Sequence, residues 1–99
     1  MTLVVQEEPT PEQLARQCQE GCRASFERLV EMYTPRIFGF ILQRTRNSHD
    51  AEDLTQETFM RAYRSIDRFQ TTHSFAAWLF TIARYSTLNA KNAWIDIPS

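Results

Sequence analysis

The groups best suited to covalent or metal chemistry are three carboxylates, two thiols and two imidazoles, and their spacing argues against catalysis. Glu52, Asp53 and Glu57 fall within one helical stretch, but no histidine or second acidic segment is spaced to complete a metal site or an acid–base pair with them. Cys18 and Cys22 are four apart, a spacing that puts two side chains on one helix face. Two reduced thiols are the plain reading and a redox pair is the alternative. His49 and His73 lie too far along the chain to complete a zinc set with them. With two glycines in the chain, no phosphate-cradling loop is present. No cofactor and no enzymatic activity is expected.

Binding chemistry is better represented. Between Asp50 and Phe69, helical periodicity gathers Ala51, Thr55, Thr58, Phe59, Ala62, Ile66 and Phe69 on one side as a core face. Asp53, Gln56, Glu57, Met60 and Arg64 lie opposite. An acidic face ending in a methionine suits a basic partner surface. It equally suits solvent, with acids placed favourably near a helix N-terminus, and periodicity does not choose. In the next helical stretch Phe75, Trp78, Leu79, Ile82 and Ser86 form an inward stripe, and Ala77, Phe80, Arg84, Leu88 and Lys91 face away. Aromatic and basic residues on that outer face suit stacking and charge neutralisation of a single nucleic-acid strand. They suit a covering domain equally well.

Four helices are expected to position these faces. Thr10-Pro11-Glu12-Gln13 reads as an N-cap, an N1 proline and a capping box, and that helix should stop at Gly21. A second helix, about Arg23 to Arg46, carries Phe26, Leu29, Val30, Tyr33, Ile37, Phe40 and Ile41 on one face. Pro35 should break or kink it near Tyr33-Thr34, and Phe38 and Leu42 form a second stripe beyond. Asn47 to Asp50 is a turn, and the third helix runs from Ala51 to about Ile66. Phe69 to Ser74 is a polar loop ending in a cap, Ser74, and the fourth helix runs from Phe75 to about Asn89 or a little beyond. Residues 1–9 read as a flexible leader and 93–99 as the start of a linker.

Composition agrees with a small all-α helical bundle. The 99 residues include twelve aromatics and four prolines, so turns are few and one modest core is affordable. No apolar run reaches the roughly 18 residues that span a membrane, and Met1 to Glu8 lacks the basic start and apolar centre of a secretory signal. A cytoplasmic protein is expected. Net charge is −1, but it alternates in blocks: −3 over residues 1–31, +3 over 32–49, −4 over 50–57 and +3 over 58–99. A protein touching protein with one face and DNA with another has such a distribution, as do many helical domains.

The stretch Asp50-Ala51-Glu52-Asp53-Leu54-Thr55-Gln56-Glu57-Thr58-Phe59-Met60-Arg61-Ala62-Tyr63, followed at the right spacing by Ser74-Phe75-Ala76-Ala77-Trp78-Leu79-Phe80-Thr81-Ile82-Ala83-Arg84, closely resembles region 2 of extracytoplasmic-function (ECF) sigma factors of bacterial RNA polymerase. Phe26 to Tyr33 and Pro35-Arg36 resemble the preceding segment, so the likeness covers about residues 12–92 and the domain is placed at 10–92. It implies a domain that binds the polymerase core and melts promoter DNA. By that match Asp53, Gln56 and Glu57, with Met60 beside them, dock on the clamp helices of the polymerase β′ subunit. The loop Gln70, Thr71, Thr72, His73 and Ser74 captures a flipped base of the promoter −10 element. Phe80, Arg84, Tyr85, Asn89 and Lys91 lie near the opened strand.

Two departures are visible. Many relatives carry asparagine where Tyr85 stands, and a basic run after the fourth helix, whereas Ala90 to Asp96 holds a single lysine. Contact with duplex DNA from that end is therefore expected to be weak. The family's helix-turn-helix domain that reads the −35 element, region 4, is absent from these residues. A second reading is an interaction module held by an anti-sigma factor without touching promoter DNA, for which Phe38, Leu42, Phe80 and Leu88 would offer apolar patches.

Overall fold

The computed structural model describes the backbone of residues 8–96 and the side chains of residues 8–90. Of the expected leader and linker, residues 1–7 and 97–99 lie outside the described residues. Four helices follow one another: α1 (Pro11–Gln19), α2 (Arg23–Thr45), α3 (Ser48–Ser65) and α4 (Phe75–Asp96), with a 3₁₀ turn at Ile66–Arg68. The fold is an all-α bundle.

The first helix begins as its sequence dictates. Thr10 Oγ1 accepts from the Gln13 amide at 3.1 Å, and Gln13 Oε1 accepts from the Thr10 amide at 2.8 Å. The capping box satisfies two groups that a helix start leaves unpaired. Gly21 reverses the chain at φ +103°, where the Gly21 amide donates to the Cys18 carbonyl and the Cys22 amide to the Gln17 carbonyl, both at 2.9 Å. A side chain would strain that left-handed position. The turn also separates the thiols: Cys18 is in α1, and Cys22 is the residue preceding α2. They do not share one helix.

The expected break at Pro35 does not occur; α2 continues through it for 23 residues. Proline removes the hydrogen bond to the Glu31 carbonyl, but Glu31 and Pro35 are both exposed, so water can serve that carbonyl. Leu29 and Tyr33 on one side of the proline, and Ile37 and Ile41 on the other, are all buried in the same core. Packing on both sides holds the two halves as one rod, against a local cost of about 3 kcal/mol.

Helix α3 starts at Ser48, earlier than the expected Ala51, because the Asn47 side chain accepts from the Asp50 amide at 3.0 Å and captures the turn as helix. The expected core face is buried throughout, and Leu54 joins it. Helix α4 runs past Asn89 to Asp96, so residues 93–96 of the expected linker are helical. Nothing between Phe75 and Ile97 is glycine or proline, and no local signal stops the helix before Pro98. Leu14, Leu29, Ile37, Ile41, Phe75 and Leu79 form the fully buried centre where the four helices meet.

Replacing Pro35 with alanine restores an amide at an exposed helical position and should stabilise the domain by about 1–3 kcal/mol in urea unfolding. An unchanged or lowered midpoint would mean that the ring contributes packing that offsets its backbone cost.

Candidate functional site

Two surfaces collect the expected site residues. On the outer face of α3, Asp53, Gln56, Glu57 and Met60 line one shallow depression together with Arg61 and Arg64. Asp53, Gln56 and Met60 are exposed and Glu57 is half-buried. The acidity is tempered within the helix. Glu57 Oε2 lies 3.2 Å from Arg61 Nε, and Asp53 Oδ2 lies 3.8 Å from His49 Nε2. An exposed Glu–Arg pair one turn apart contributes a few tenths of a kcal/mol and yields readily to a partner; His49 pairs with Asp53 as an ion only when protonated. Met60 is 53% exposed and leaves a flexible apolar side chain free beside the acids. Arg61 is the residue sequence reasoning overlooked; its spacing from Glu57 was the available signal. Its guanidinium stands 5.4 Å from the centre of the Tyr85 ring, which ties Tyr85 to the α3 side of α4.

The second surface is a cleft of about 460 Å³ where the loop before α4 meets that helix. Its walls are Arg68, Phe69, Gln70, His73, Ser74, Ala77, Trp78 and Thr81. The loop is built between two buried aromatics, Phe69 and Phe75, whose ring centres are 5.5 Å apart. The His73 amide donates to the Gln70 carbonyl at 2.9 Å, closing a turn, and Ser74 Oγ accepts from the Ala77 amide at 3.1 Å, capping α4. Gln70, His73 and Ser74 therefore present polar atoms at the mouth of the cleft. Thr71 and Thr72 belong to the loop but do not line it; Thr71 is half-buried and Thr72 exposed. Trp78, expected in the core stripe, packs on Phe69 and Phe75 at 5.1 and 5.6 Å and is half-buried in the cleft wall.

The cleft continues along α4. Ala77 and Thr81 also border a neighbouring depression with Phe40, Arg44, Phe80 and Arg84. Phe80 does not face freely outward. It is half-buried edge-on against Phe40 at 5.2 Å, because α2 passes on that side of α4. The Arg36 guanidinium stands 5.5 Å from the Phe80 ring centre and 5.2 Å from that of Tyr33, and the Arg44 guanidinium 3.8 Å from that of Phe40. These cation–π contacts hold arginines over aromatic faces at the edge of the surface. Arg36, Phe40 and Arg44 were missed because they come from another helix. Arg84 is exposed here, Asn89 is half-buried further along, and the Lys91 side chain lies outside the described residues.

The described residues contain no cluster of three or more metal-ligating side chains. The two thiols differ in acidity. Cys22 is lowered below the usual thiol range, first by the Ser25 hydroxyl, whose oxygen lies 3.2 Å from its sulfur and whose one hydrogen is shared with Gln17 Oε1 at 2.5 Å, then by the Ser25 and Ala24 amides at the start of α2. Cys18 is raised, mainly by partial burial and secondly by Cys22. Because thiolate is the reactive species and Cys22 is also the exposed thiol, iodoacetamide should alkylate Cys22 several-fold faster than Cys18 near pH 7. Equal rates by peptide mass mapping would contradict this environment.

Fold and surfaces together define a helical domain with one acidic face on α3 and one aromatic, arginine-edged cleft. Residues 29–95 match the sigma-70 region 2 family, and the chain belongs to that family. Its curated relatives include several named as ECF sigma factors. It is 35% identical over 74 residues to the ECF RNA polymerase sigma factor SigW of Bacillus subtilis, covering 75% of this chain and 40% of that protein. It is 36% identical over 87 residues to the ECF RNA polymerase sigma-E factor of Haemophilus influenzae, covering 88% and 46%. An NMR structure of an engineered region 2 of sigmaE in complex with GTAAAA superposes with a TM-score of 0.84 at 30% identity, covering 90% of this chain and 93% of that one. The domain is thus an ECF-type sigma region 2, and it spans less than half the length of these curated relatives.

Proposed function

We propose that this domain binds the RNA polymerase core through the outer face of α3 and captures the opened strand of a promoter −10 element in the cleft before α4, as part of transcription initiation in the cytoplasm. The observation that carries this reading is the cleft itself. It offers hydrogen-bonding groups at its mouth (Gln70, His73, Ser74) and an aromatic wall (Phe69, Trp78) behind them. Extruding a base from a duplex costs a few kcal/mol, which stacking and edge hydrogen bonds in such a cleft offset. Arg44 and Arg84 extend the same surface along α4, where successive phosphates of a bound strand would run. The solved neighbour was determined with the hexanucleotide GTAAAA, which agrees with a single strand as ligand. The acidic face is on α3 and separate from this track, so a polymerase coiled coil, the β′ clamp helices, can be held while DNA is engaged.

The alternative, a module bound by an anti-sigma factor without promoter contact, loses part of its basis. Phe38, Leu42 and Phe80 are packed against the core, and of the four expected patch residues only Leu88 is largely exposed. A regulator covering both faces is compatible with the proposed function.

Changing Asp53 and Gln56 together to alanine should weaken binding to the isolated β′ clamp helices by roughly 2–4 kcal/mol, or about 30- to 1,000-fold. Unchanged affinity in a folded double mutant would remove the docking assignment. Single-stranded −10 DNA should bind in preference to scrambled DNA. With Arg44, Arg68 and Arg84 as the phosphate partners, log K should fall with log salt at a slope of about −2. No sequence preference at any salt concentration would exclude strand capture and leave the interaction-module reading.

A further inference from the structure

We propose that Glu12 and Gln19, both on α1, are positioning residues that set which base the cleft accepts; the inference rests on the strand-capture reading above. Both precede residue 29, where the match to the sigma-70 region 2 family begins. The two side chains take hold of the two ends of the capture loop. Gln19 Nε2 donates both its hydrogens, one to the Ile66 carbonyl at 2.8 Å and one to the Phe69 carbonyl at 2.7 Å. Glu12 Oε2 accepts the Phe75 amide at 2.8 Å. Loop entry and loop exit are therefore bonded to one rigid helix.

The spacing makes α1 a ruler. Glu12 and Gln19 are seven residues apart, about two helical turns, so they share a face and are separated by roughly 10 Å along the axis. Leu14 and Ala15 between them are buried, and the capping box starts the helix at a fixed residue. Rotation or sliding of α1 is thus opposed by packing, and the distance between the loop's ends is imposed from outside the loop. Glu12 also places a carboxylate at the N-terminus of α4, where negative charge is favoured. With Ser74 capping Ala77 and Glu12 taking Phe75, two of the first amides of α4 are satisfied by side chains.

Selectivity follows from this fixation. A loop free to adapt accommodates several bases with similar affinity, whereas a loop held at both ends offers one arrangement of Gln70, His73 and Ser74. Losing either tether should broaden base preference before it abolishes binding, because Arg44 and Arg84, two of the three proposed phosphate partners, lie outside the segment that α1 holds, whereas Arg68 lies within it.

The test selects hexamers from a randomised single-stranded DNA library with the 99-residue chain. Dissociation constants are then measured for the preferred hexamer and its single-base variants, with clamp-helix binding as the control. Glu12→Ala and Gln19→Ala should each reduce discrimination at the captured base by tenfold or more while clamp-helix affinity is retained. Glu12→Gln keeps an acceptor for Phe75 and should preserve discrimination. Gln19→Glu has nearly the native volume but no hydrogen to donate to two carbonyls, and should lose it. These two near-isosteric variants decide the matter if an alanine variant does not fold. Folded Gln19→Glu and Glu12→Ala proteins that retain wild-type discrimination would overturn the inference, as would uniform weakening with discrimination unchanged. If the wild-type chain selects no base, the strand-capture reading itself fails.

Discussion

The arrangement depends on burying Phe69 and Phe75 against each other at the two ends of a short polar loop. Each ring is nearly inaccessible, and each also touches Trp78, while Tyr33 of α2 reaches Phe75 at 5.6 Å. Aromatic pairs at such separations add to the burial energy of the rings themselves. Because the ends cannot move apart without exposing this cluster, the intervening residues have little freedom, and their polar groups stand ready at the surface. The hydrogen bonds from Gln19 and Glu12 then fix the same ends through the backbone. A binding loop usually trades order for adaptability; here core packing and the two tethers from α1 order the loop together.

The second organising feature is a division of charge between helices. The acids of α3 are on its outer face, and on another side of the bundle two arginines of α2 stand over Phe40 and Phe80, with Arg84 of α4 lining the same depression. The net charge of −1 therefore conceals two surfaces of opposite character. Between them Arg61 connects Glu57 to Tyr85, so one edge of α4 borders the α3 face. Tyr85, which family likeness assigns to DNA, is exposed on that edge.

Local patterns made much of this legible. The capping box at Thr10, the reversal at Gly21 and the core face of α3 each depend on residues close in sequence, and each appears as expected. Pro35 is the instructive exception. Its helix-breaking tendency is local, and the burial of Leu29, Tyr33, Ile37 and Ile41 outweighs it. The extension of α4 to Asp96 shows the converse, since a weakly patterned segment continues as helix where nothing stops it. At the cleft, the loop residues and Ser74 were readable from turn chemistry and likeness. Trp78 was placed in the core because periodicity assigns a face and cannot tell a buried ring from one in a cleft wall. Arg36 and Arg44 reach the surface from α2, and Glu12 and Gln19 from α1. Such convergence is tertiary and leaves no mark in a window of neighbouring residues.

Amide chemical-shift mapping distinguishes two disjoint faces on one bundle from a single shared one. The ¹⁵N-labelled chain would be titrated once with the β′ clamp helices and once with its preferred single-stranded hexamer. Disjoint faces give one set of shifts along Asp53, Gln56, Glu57 and Met60 and a separate set from Gln70 to Ser74 and along Ala77, Thr81 and Arg84. DNA-induced shifts centred on the α3 face, or none in the loop, would contradict this separation.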